Sequence, residues 1–177
     1  MAKFDVLHGL VEILRSAKAE PVISPERVAP STIYDLRYRL CVIALTFESY
    51  AKADLFGSKR LQTARLKLLQ FVAIRPWLIP VMREWMNTEA NPQLSVFAPQ
   101  KARRGFVGDA VHDRVVDYLV AHQVFERMPA HLALGENGEI LKHLISDLEN
   151  QGLFERERSA LLELKSIKIT NKMLEGW

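Results

Sequence analysis

The sequence has only one cysteine, Cys41, among 177 residues. An intrachain disulfide is therefore excluded, and we expect a protein of a reducing compartment such as the cytoplasm. No apolar run reaches the roughly 18 to 20 residues that span a bilayer. Two acids, Asp5 and Glu12, interrupt the apolar N-terminal stretch, which is unlike a secretory signal peptide. With 49% hydrophobic and 25% charged residues, the chain has the balance of an ordinary globular protein.

Catalytic motifs are also lacking. The sequence contains no glycine-rich phosphate loop, GxSxG elbow, CxxC pair or HExxH motif, and its five histidines are scattered. We interpret His112 as a surface residue, His122 as a core histidine and Cys41 as a small hydrophobic residue. The sequence therefore predicts no catalytic residue, no metal and no cofactor, and a small enzyme is only the third functional class that we consider.

Charge is distributed unevenly along the chain. Residues 1–56 are neutral, with seven basic and seven acidic side chains. Residues 57–104 hold nine basic and two acidic side chains, a net charge of +7, whereas residues 105–177 hold eight basic and twelve acidic ones, a net charge of −4. We expect the basic middle and the acidic C-terminal part to bind different partners, unless they attract each other within the fold.

Apolar side chains recur at helical spacing through the first half of the chain. Ser31 or Thr32 is expected to cap one helix, and Pro76 is expected to end another. A helix that is apolar most of the way round, as the one before Pro76 is, is typically central. The pattern predicts four helices, at residues 4–18, 32–54, 58–74 and 80–86.

The second half predicts a different unit. Helices are expected at residues 109–127, 129–134 and 139–151, followed by two short strands within residues 153–170. Gly152 stands where the third of these helices needs a left-handed C-cap. This order is typical of a winged helix, and the alternative is a single helix over residues 159–174.

We therefore predict a mainly α protein with three parts. A helical domain at residues 1–90 is followed by a basic linker at 91–108. The third part, at 109–177, is a winged-helix-like domain with a short β-hairpin.

The basic middle supplies candidate phosphate contacts. On a helix over residues 58–74, three cations lie within about 100° of one another, and the linker would extend that stripe. Such a stripe binds phosphates through sequence-independent electrostatics. The alternative is a solvated helix face beside a basic linker. Arg65 points instead to the apolar side of this helix, where we expect structural pairing. The candidate phosphate or DNA contacts are Lys59, Arg60, Lys67, Lys101, Arg103 and Arg104.

Candidate docking residues lie elsewhere. The outward positions of the helix at 139–151 hold Glu139, Asp147 and Glu149 against Lys142. Because phosphates repel this face, it docks protein or is merely solvated. A row of valines on the helix at 109–127 predicts a covered face, the cover being the N-terminal helices or another chain. The apolar docking candidates are Val116, Val120, Val124, Trp77 and Trp85.

Residues 54–80, DLFGSKRLQTARLKLLQFVAIRPWLIP, combine a glycine break, a basic and leucine-rich helix and a proline stop. This stretch resembles the middle-component proteins of three-component ABC-ATPase defence modules of bacteria, the Lamassu type included. The resemblance implies a cytoplasmic, non-catalytic adaptor that binds an SMC-like ATPase and an effector such as a nuclease, within a complex that contacts DNA. The rival function is a freestanding winged-helix DNA-binding transcriptional regulator.

Overall fold

The computed structural model describes residues 34–53, 58–88, 106, 108–171 and 174, without the side chains of 84–88. Within these ranges the chain is mainly helical, as predicted, with one small antiparallel sheet. The predicted helix at 4–18 lies outside the described residues, as do Lys101, Arg103 and Arg104. The described helices are α1 Leu36–Tyr50, α2 Thr63–Ala73, α3 Leu78–Thr88, α4 Ala110–Ala121, α5 Glu139–Asn150 and α6 Glu155–Leu164. The described strands are β1 Lys52–Ala53, β2 Lys59–Gln62, β3 Phe125–Met128 and β4 His131–Leu134.

Asp35 fixes the start of α1. Its Oδ1 atom accepts hydrogen bonds from the backbone N–H groups of Arg37 at 2.7 Å and Tyr38 at 3.2 Å. These are two of the N–H groups that a helix start leaves without an intrahelical partner. The helix therefore begins after Asp35 and not after Ser31 or Thr32. Every residue from Arg39 to Phe47 is buried, so α1 runs through the centre of the described fold.

The start of the predicted helix at 58–74 is a strand. β2 pairs with β1 on one side and with β4 on the other, in the sheet order β1-β2-β4-β3. Pairing with β4, far along the chain, decides the conformation of residues 59–62, because tertiary context overrides a local helical pattern. The expectation that Lys59 and Arg60 share one helix with Lys67 is therefore wrong. The rest, α2, is buried on nearly all sides, which confirms a central helix.

The β-hairpin lies between two helices and not after them. β3 and β4 occupy the residues that the pattern assigns to the end of one helix and to a short helix at 129–134. The predicted strands within 153–170 are wrong, because α6 occupies Glu155–Leu164 and the next six residues form neither helix nor strand. The alternative, a single helix over 159–174, is correct as far as Leu164 and wrong beyond it. The winged-helix order, with its strands last, is not found among the described residues.

One core joins the two predicted domains. β2, from the part at residues 1–90, pairs with β4 from the part at 109–177. Side chains of α1, β2, α4, β3, β4 and α5 form one buried cluster. A second cluster is formed mainly by α2, α3 and α6, with Phe106. The predicted linker at 91–108 therefore does not separate two cores.

None of the described helices is long and apolar enough to cross a membrane.

Candidate functional site

The described cations among the predicted phosphate contacts do not form one stripe. Lys59 pairs with Glu48 of α1, on the side of the sheet that faces the core. Lys67 Nζ contacts both carboxylate oxygens of Asp113 at 3.0 Å. Arg60 follows Lys59 in β2 and therefore projects from the opposite face of the strand. Both lysines are thus in ion pairs within the fold, and Arg60 belongs to a different surface.

That surface is the open face of the sheet. Successive residues of a strand point to opposite faces, so each register pair shares one face. Leu61 lies opposite Leu132, and both are buried on the core face. On the open face Lys52 stands directly opposite Arg60, and one step along the sheet Gln62 stands opposite His131.

A groove of about 590 Å³ crosses this open face. Lys52, Arg60 and Arg65 line it, together with Tyr50, Met128 and His131. Among its described lining residues there are three cations and no carboxylate. The described lining of the groove is therefore rich in basic side chains, and the sequence does not place it because the pattern predicts a helix at β2.

The outer face of α5 is exposed and fixed in position. Leu141, Leu144, Ile145 and Leu148 are buried on its inner face, which confirms the sequence pattern. Gly152 has φ +62°, which confirms the predicted left-handed cap. The N–H of Gly152 bonds to Glu149 O at 3.0 Å and that of Leu153 to Leu148 O at 2.9 Å, the two bonds of a Schellman motif.

The charges on this face are unequally compensated. Glu139 pairs with Lys142 at 2.6 Å, and their hydrogen bond lowers the pKa of the glutamate and raises that of the lysine. Glu149 pairs with Arg158 at 3.1 Å. Asp147 is exposed and makes no ion pair with any residue that the structure describes. It lies in the last turn of α5, where the helix dipole disfavours a carboxylate.

The valine row is part of the core and not a free docking face. Val116 and Val124 are 2% and 1% exposed, and Val120 packs against the same cluster. The cover comes from within the chain, since α4 packs against α1. The expectation that these three valines dock a partner is therefore wrong.

Trp77 is exposed, at 59% of its surface, as a docking residue must be. It stands in the turn between α2 and α3. Tyr34 and Leu36, at the start of α1, are also exposed. The side chain of Trp85 lies outside the described residues.

A buried polar cluster holds α1, α2 and α4 together. Arg39 donates to Asp109 Oδ2, and Gln70 Nε2 donates to the same oxygen at 3.4 Å. Asp109 also caps α4, because its Oδ1 accepts from the N–H of His112 at 3.3 Å. Burial raises the pKa of the Asp109 carboxyl, but the hydrogen bond and charge of Arg39 outweigh burial and hold it below its usual value.

His112 belongs to this cluster, and its expected place on the surface is wrong. It is 1% exposed, and neither ring nitrogen has a hydrogen-bond partner among the described residues. Burial, aided by the charge of Arg39, lowers the pKa of His112 to about 4. The imidazole is therefore neutral at pH 7 and contributes no charge to the cluster.

Three other residues singled out in the sequence have structural roles. Cys41 is buried, and burial raises the pKa of its thiol to about 12, which confirms a small hydrophobic residue. Arg65 has a structural partner, since its Nη2 donates to Ile169 O at 3.0 Å, and it makes no ion pair with a described carboxylate. His122 is half-buried at the end of α4 and does not lie in the core; its ring centroid is 4.3 Å from that of Tyr118, with the two ring planes tilted by 53°.

Sequence reasoning missed the Arg39–Asp109 pair. One signal was present, because Arg39 lies four residues before Ile43 on the apolar stripe of its helix. A cation on an apolar stripe predicts a buried anion beside it, because an unpaired buried charge is strongly destabilising. The described residues contain no cluster of His, Cys, Asp and Glu that could hold a metal ion.

Comparison with known proteins gives no relative: no family model, no curated protein and no solved structure matches the chain.

Proposed function

We propose that the chain is a non-catalytic adaptor subunit of a cytoplasmic bacterial defence complex, in which it bridges an SMC-like ATPase and an effector such as a nuclease. The likeness of residues 54–80 to middle-component proteins suggests the class of complex. The observation that carries the docking role is Asp147 on the outer face of α5.

Asp147 occupies a position that the fold alone does not favour. A carboxylate in the last turn of a helix faces the negative end of the helix dipole and costs roughly 0.3–1 kcal/mol. Arg158 offsets that cost for Glu149, but no described residue does so for Asp147. A basic group of a partner protein would offset it on binding. Charge complementarity of this kind mainly sets partner choice and association rate.

The same face disfavours the rival function. A freestanding winged-helix regulator reads DNA with an exposed helix that donates hydrogen bonds to bases and phosphates. Here the outer face of α5 carries Glu139, Asp147 and Glu149. These carboxylates repel phosphates, so we place protein and not a DNA groove against α5.

The test is affinity purification of the tagged chain from its native host. We expect an SMC-like ATPase and an effector to co-purify with the wild-type chain. Asp147→Lys should reduce their recovery about tenfold, since like charges then meet across the interface. Its melting temperature should not fall, because a lysine suits the end of a helix.

Asp117→Lys is the matched control, because Asp117 is also an exposed helical carboxylate, and its ion pair among the described residues is with the exposed Arg127. We expect it to recover both partners as wild type does. Equal recovery by Asp147→Lys would show that the face is only solvated. A wild-type chain that runs as a lone monomer in native lysate and binds one DNA sequence tightly would support the regulator instead.

A further inference from the structure

The outer edge of β3 has no partner strand among the described residues. In the sheet order β1-β2-β4-β3, β3 is paired on one side only, with β4. An edge strand presents a row of unpaired N–H and C=O groups, to which another chain can add as a further strand. The opposite edge of the sheet, β1, has only two residues. β3 is therefore the edge with room for an added strand.

The hydrogen bonds of the hairpin show which groups of β3 point outward. Gly135 N donates to Val124 O at 2.9 Å, and this pair continues the register of β3 on β4. Because hydrogen-bonded pairs alternate along an antiparallel ladder, the backbone groups of Glu126 also face β4. The backbone groups of Phe125 and Arg127 therefore face away from β4. On that side neither residue makes a backbone hydrogen bond with any residue that the structure describes.

The side chains of β3 leave this edge accessible. Glu126 projects from the open face of the sheet and is exposed. Arg127 shares the core face with Leu132, and its Nη2 pairs there with Oδ1 of Asp117 in α4 at 2.7 Å. The two side chains of this ion pair are 55% and 65% exposed. The pair therefore lies at the rim of the sheet and does not close the edge.

The charges on β3 disfavour a second copy of this chain as the added strand. Two copies related by a two-fold axis pair all of their outward groups when the axis passes through Glu126, and the two glutamates then stand directly opposite each other. An axis at Arg127 would oppose two arginines in the same way. Like charges directly opposite each other destabilise a strand pair. An axis at Phe125 would need an extended backbone at Gln123, whose φ is +59°.

We propose that the β3 edge binds an extended segment of a different protein, which adds antiparallel to β3 and places a lysine or arginine opposite Glu126. Its backbone exchanges hydrogen bonds with Phe125 and Arg127, and these provide the attachment. Its basic residue forms a cross-strand ion pair, which provides the selection. The same glutamate that rejects a second copy therefore accepts a basic strand. The proposal does not depend on the adaptor role of α5.

Two substitutions at Arg127 separate backbone addition from side-chain contact. Arg127→Pro removes an outward N–H and keeps the bonds to β4, and an edge strand tolerates proline at such a position. Arg127→Ala is the matched control, because it removes the same charge and the same ion pair but keeps the N–H. The two variants should have similar melting temperatures. Glu126→Pro, which removes a bond to β4, should melt well below both.

The probe is a synthetic heptapeptide, Thr-Val-Thr-Lys-Thr-Val-Thr, titrated to millimolar concentration into the isotope-labelled full chain. Binding to wild type should shift the backbone amide resonance of Phe125 in NMR spectra. Arg127→Ala should bind the peptide within about twofold of wild type. Arg127→Pro should bind it about tenfold more weakly, since one hydrogen bond is lost and the ring obstructs the edge. A peptide with glutamate in place of the lysine should bind wild type about fivefold more weakly.

Glu126→Lys gives a second test that does not rely on proline. This variant keeps every backbone group of β3 and should bind the glutamate peptide more tightly than the lysine peptide. Three results would overturn the proposal: no wild-type binding of the lysine peptide at millimolar concentration, equal binding by Arg127→Pro and Arg127→Ala, or an unchanged preference in Glu126→Lys. A wild-type dimer that Arg127→Pro dissociates and Arg127→Ala does not would also overturn it, by assigning the edge to a second copy. None of these results bears on the partner recovery that tests Asp147.

Discussion

Arg39 and Asp109 are a buried ion pair whose surroundings are only partly satisfied. Arg39 is fully buried, and its Nε and Nη1 atoms have no hydrogen-bond partner among the described residues. The Oε1 atom of Gln70 and both ring nitrogens of His112 are in the same state. Buried polar atoms without partners cost free energy, so this cluster holds three helices together at some expense of stability. The cluster is most sensitive to acid at His112, because protonation of its imidazole would place a second buried cation beside Arg39.

The stability of the protein should fall between pH 7 and pH 4.5 because of His112. Its pKa is about 4 in the folded state and about 6.5 when unfolded, so the unfolded chain binds more protons in this window. The lost stability is about 2 kcal/mol at pH 4.5. The neighbours Arg39 and Lys67 oppose protonation, while Asp109 and Asp113 favour it. Asp109 itself contributes stability that is lost only at lower pH, since its pKa is below the usual value.

Urea unfolding of His112→Leu at several pH values checks this prediction. The variant should be as stable as wild type or more stable at pH 7, because it removes two unpartnered ring nitrogens. Its stability should be nearly constant from pH 7 to pH 4.5. His143→Gln, on the exposed side of α5, should keep the wild-type pH dependence. A wild-type slope in His112→Leu would mean that another group causes the acid sensitivity.

At the scale of elements, two glycines around the hairpin and α5 have different reasons to be glycine. Gly152 adopts φ +62°, and a Cβ atom there would meet only Glu155 Oε1 at 3.6 Å. A Cβ atom at Gly135 would stand 2.3 Å from the backbone oxygen of Gln123. Gly152 is required because its backbone is left-handed, and Gly135 because the neighbouring backbone leaves no room for a Cβ atom.

Alanine substitutions should separate these two causes. Gly152→Ala should cost about 1–2 kcal/mol, the penalty of a left-handed conformation for a residue with a Cβ atom. Gly135→Ala should cost more, because backbone must move away from backbone. Urea denaturation gives both values from the transition midpoint at constant slope. A larger loss for Gly152→Ala than for Gly135→Ala would contradict this explanation.

The elements that the sequence predicts well are those whose pattern is local. α5 was expected at residues 139–151 and is found at Glu139–Asn150, because its apolar stripe and its glycine cap are both in the chain itself. The alternation of Leu162 and Leu164 predicts a strand where the structure has α6. Its buried residues Glu157, Ala160, Leu161 and Leu164 follow helical spacing, and Leu162 is 64% exposed.

The features that the sequence does not predict depend on distant pairing. Four-residue strands such as β2 and β4 are too short for a clear alternating pattern and form because they pair with each other. The groove depends on that pairing, so its cations could not be grouped in advance. The valine row was correctly expected to be covered, but only the packing of α4 on α1 shows that the cover is the chain itself.

At the scale of the whole molecule, the sheet makes the two predicted domains depend on each other. Leu61 of β2 lies opposite Leu132 of β4, and the rings of Phe47 and Phe125 pack at 4.7 Å. Phe106 and Phe71 make a further aromatic contact, at 5.7 Å. Each half therefore completes the core of the other.

Fragments cut within the predicted linker should not fold alone. A fragment of residues 97–177 would lose α1 and β2, and so would expose Phe125 and Leu132, which are buried in the intact chain. A chain of about 80 residues has little core to spare, so we expect no cooperative urea transition for it. Mixing it with a fragment of residues 1–96 should restore a cooperative transition, because β2 then pairs with β4 again. Cooperative unfolding of residues 97–177 alone would instead establish an autonomous C-terminal domain and would place the boundary at 91–108, where the charge pattern predicts it.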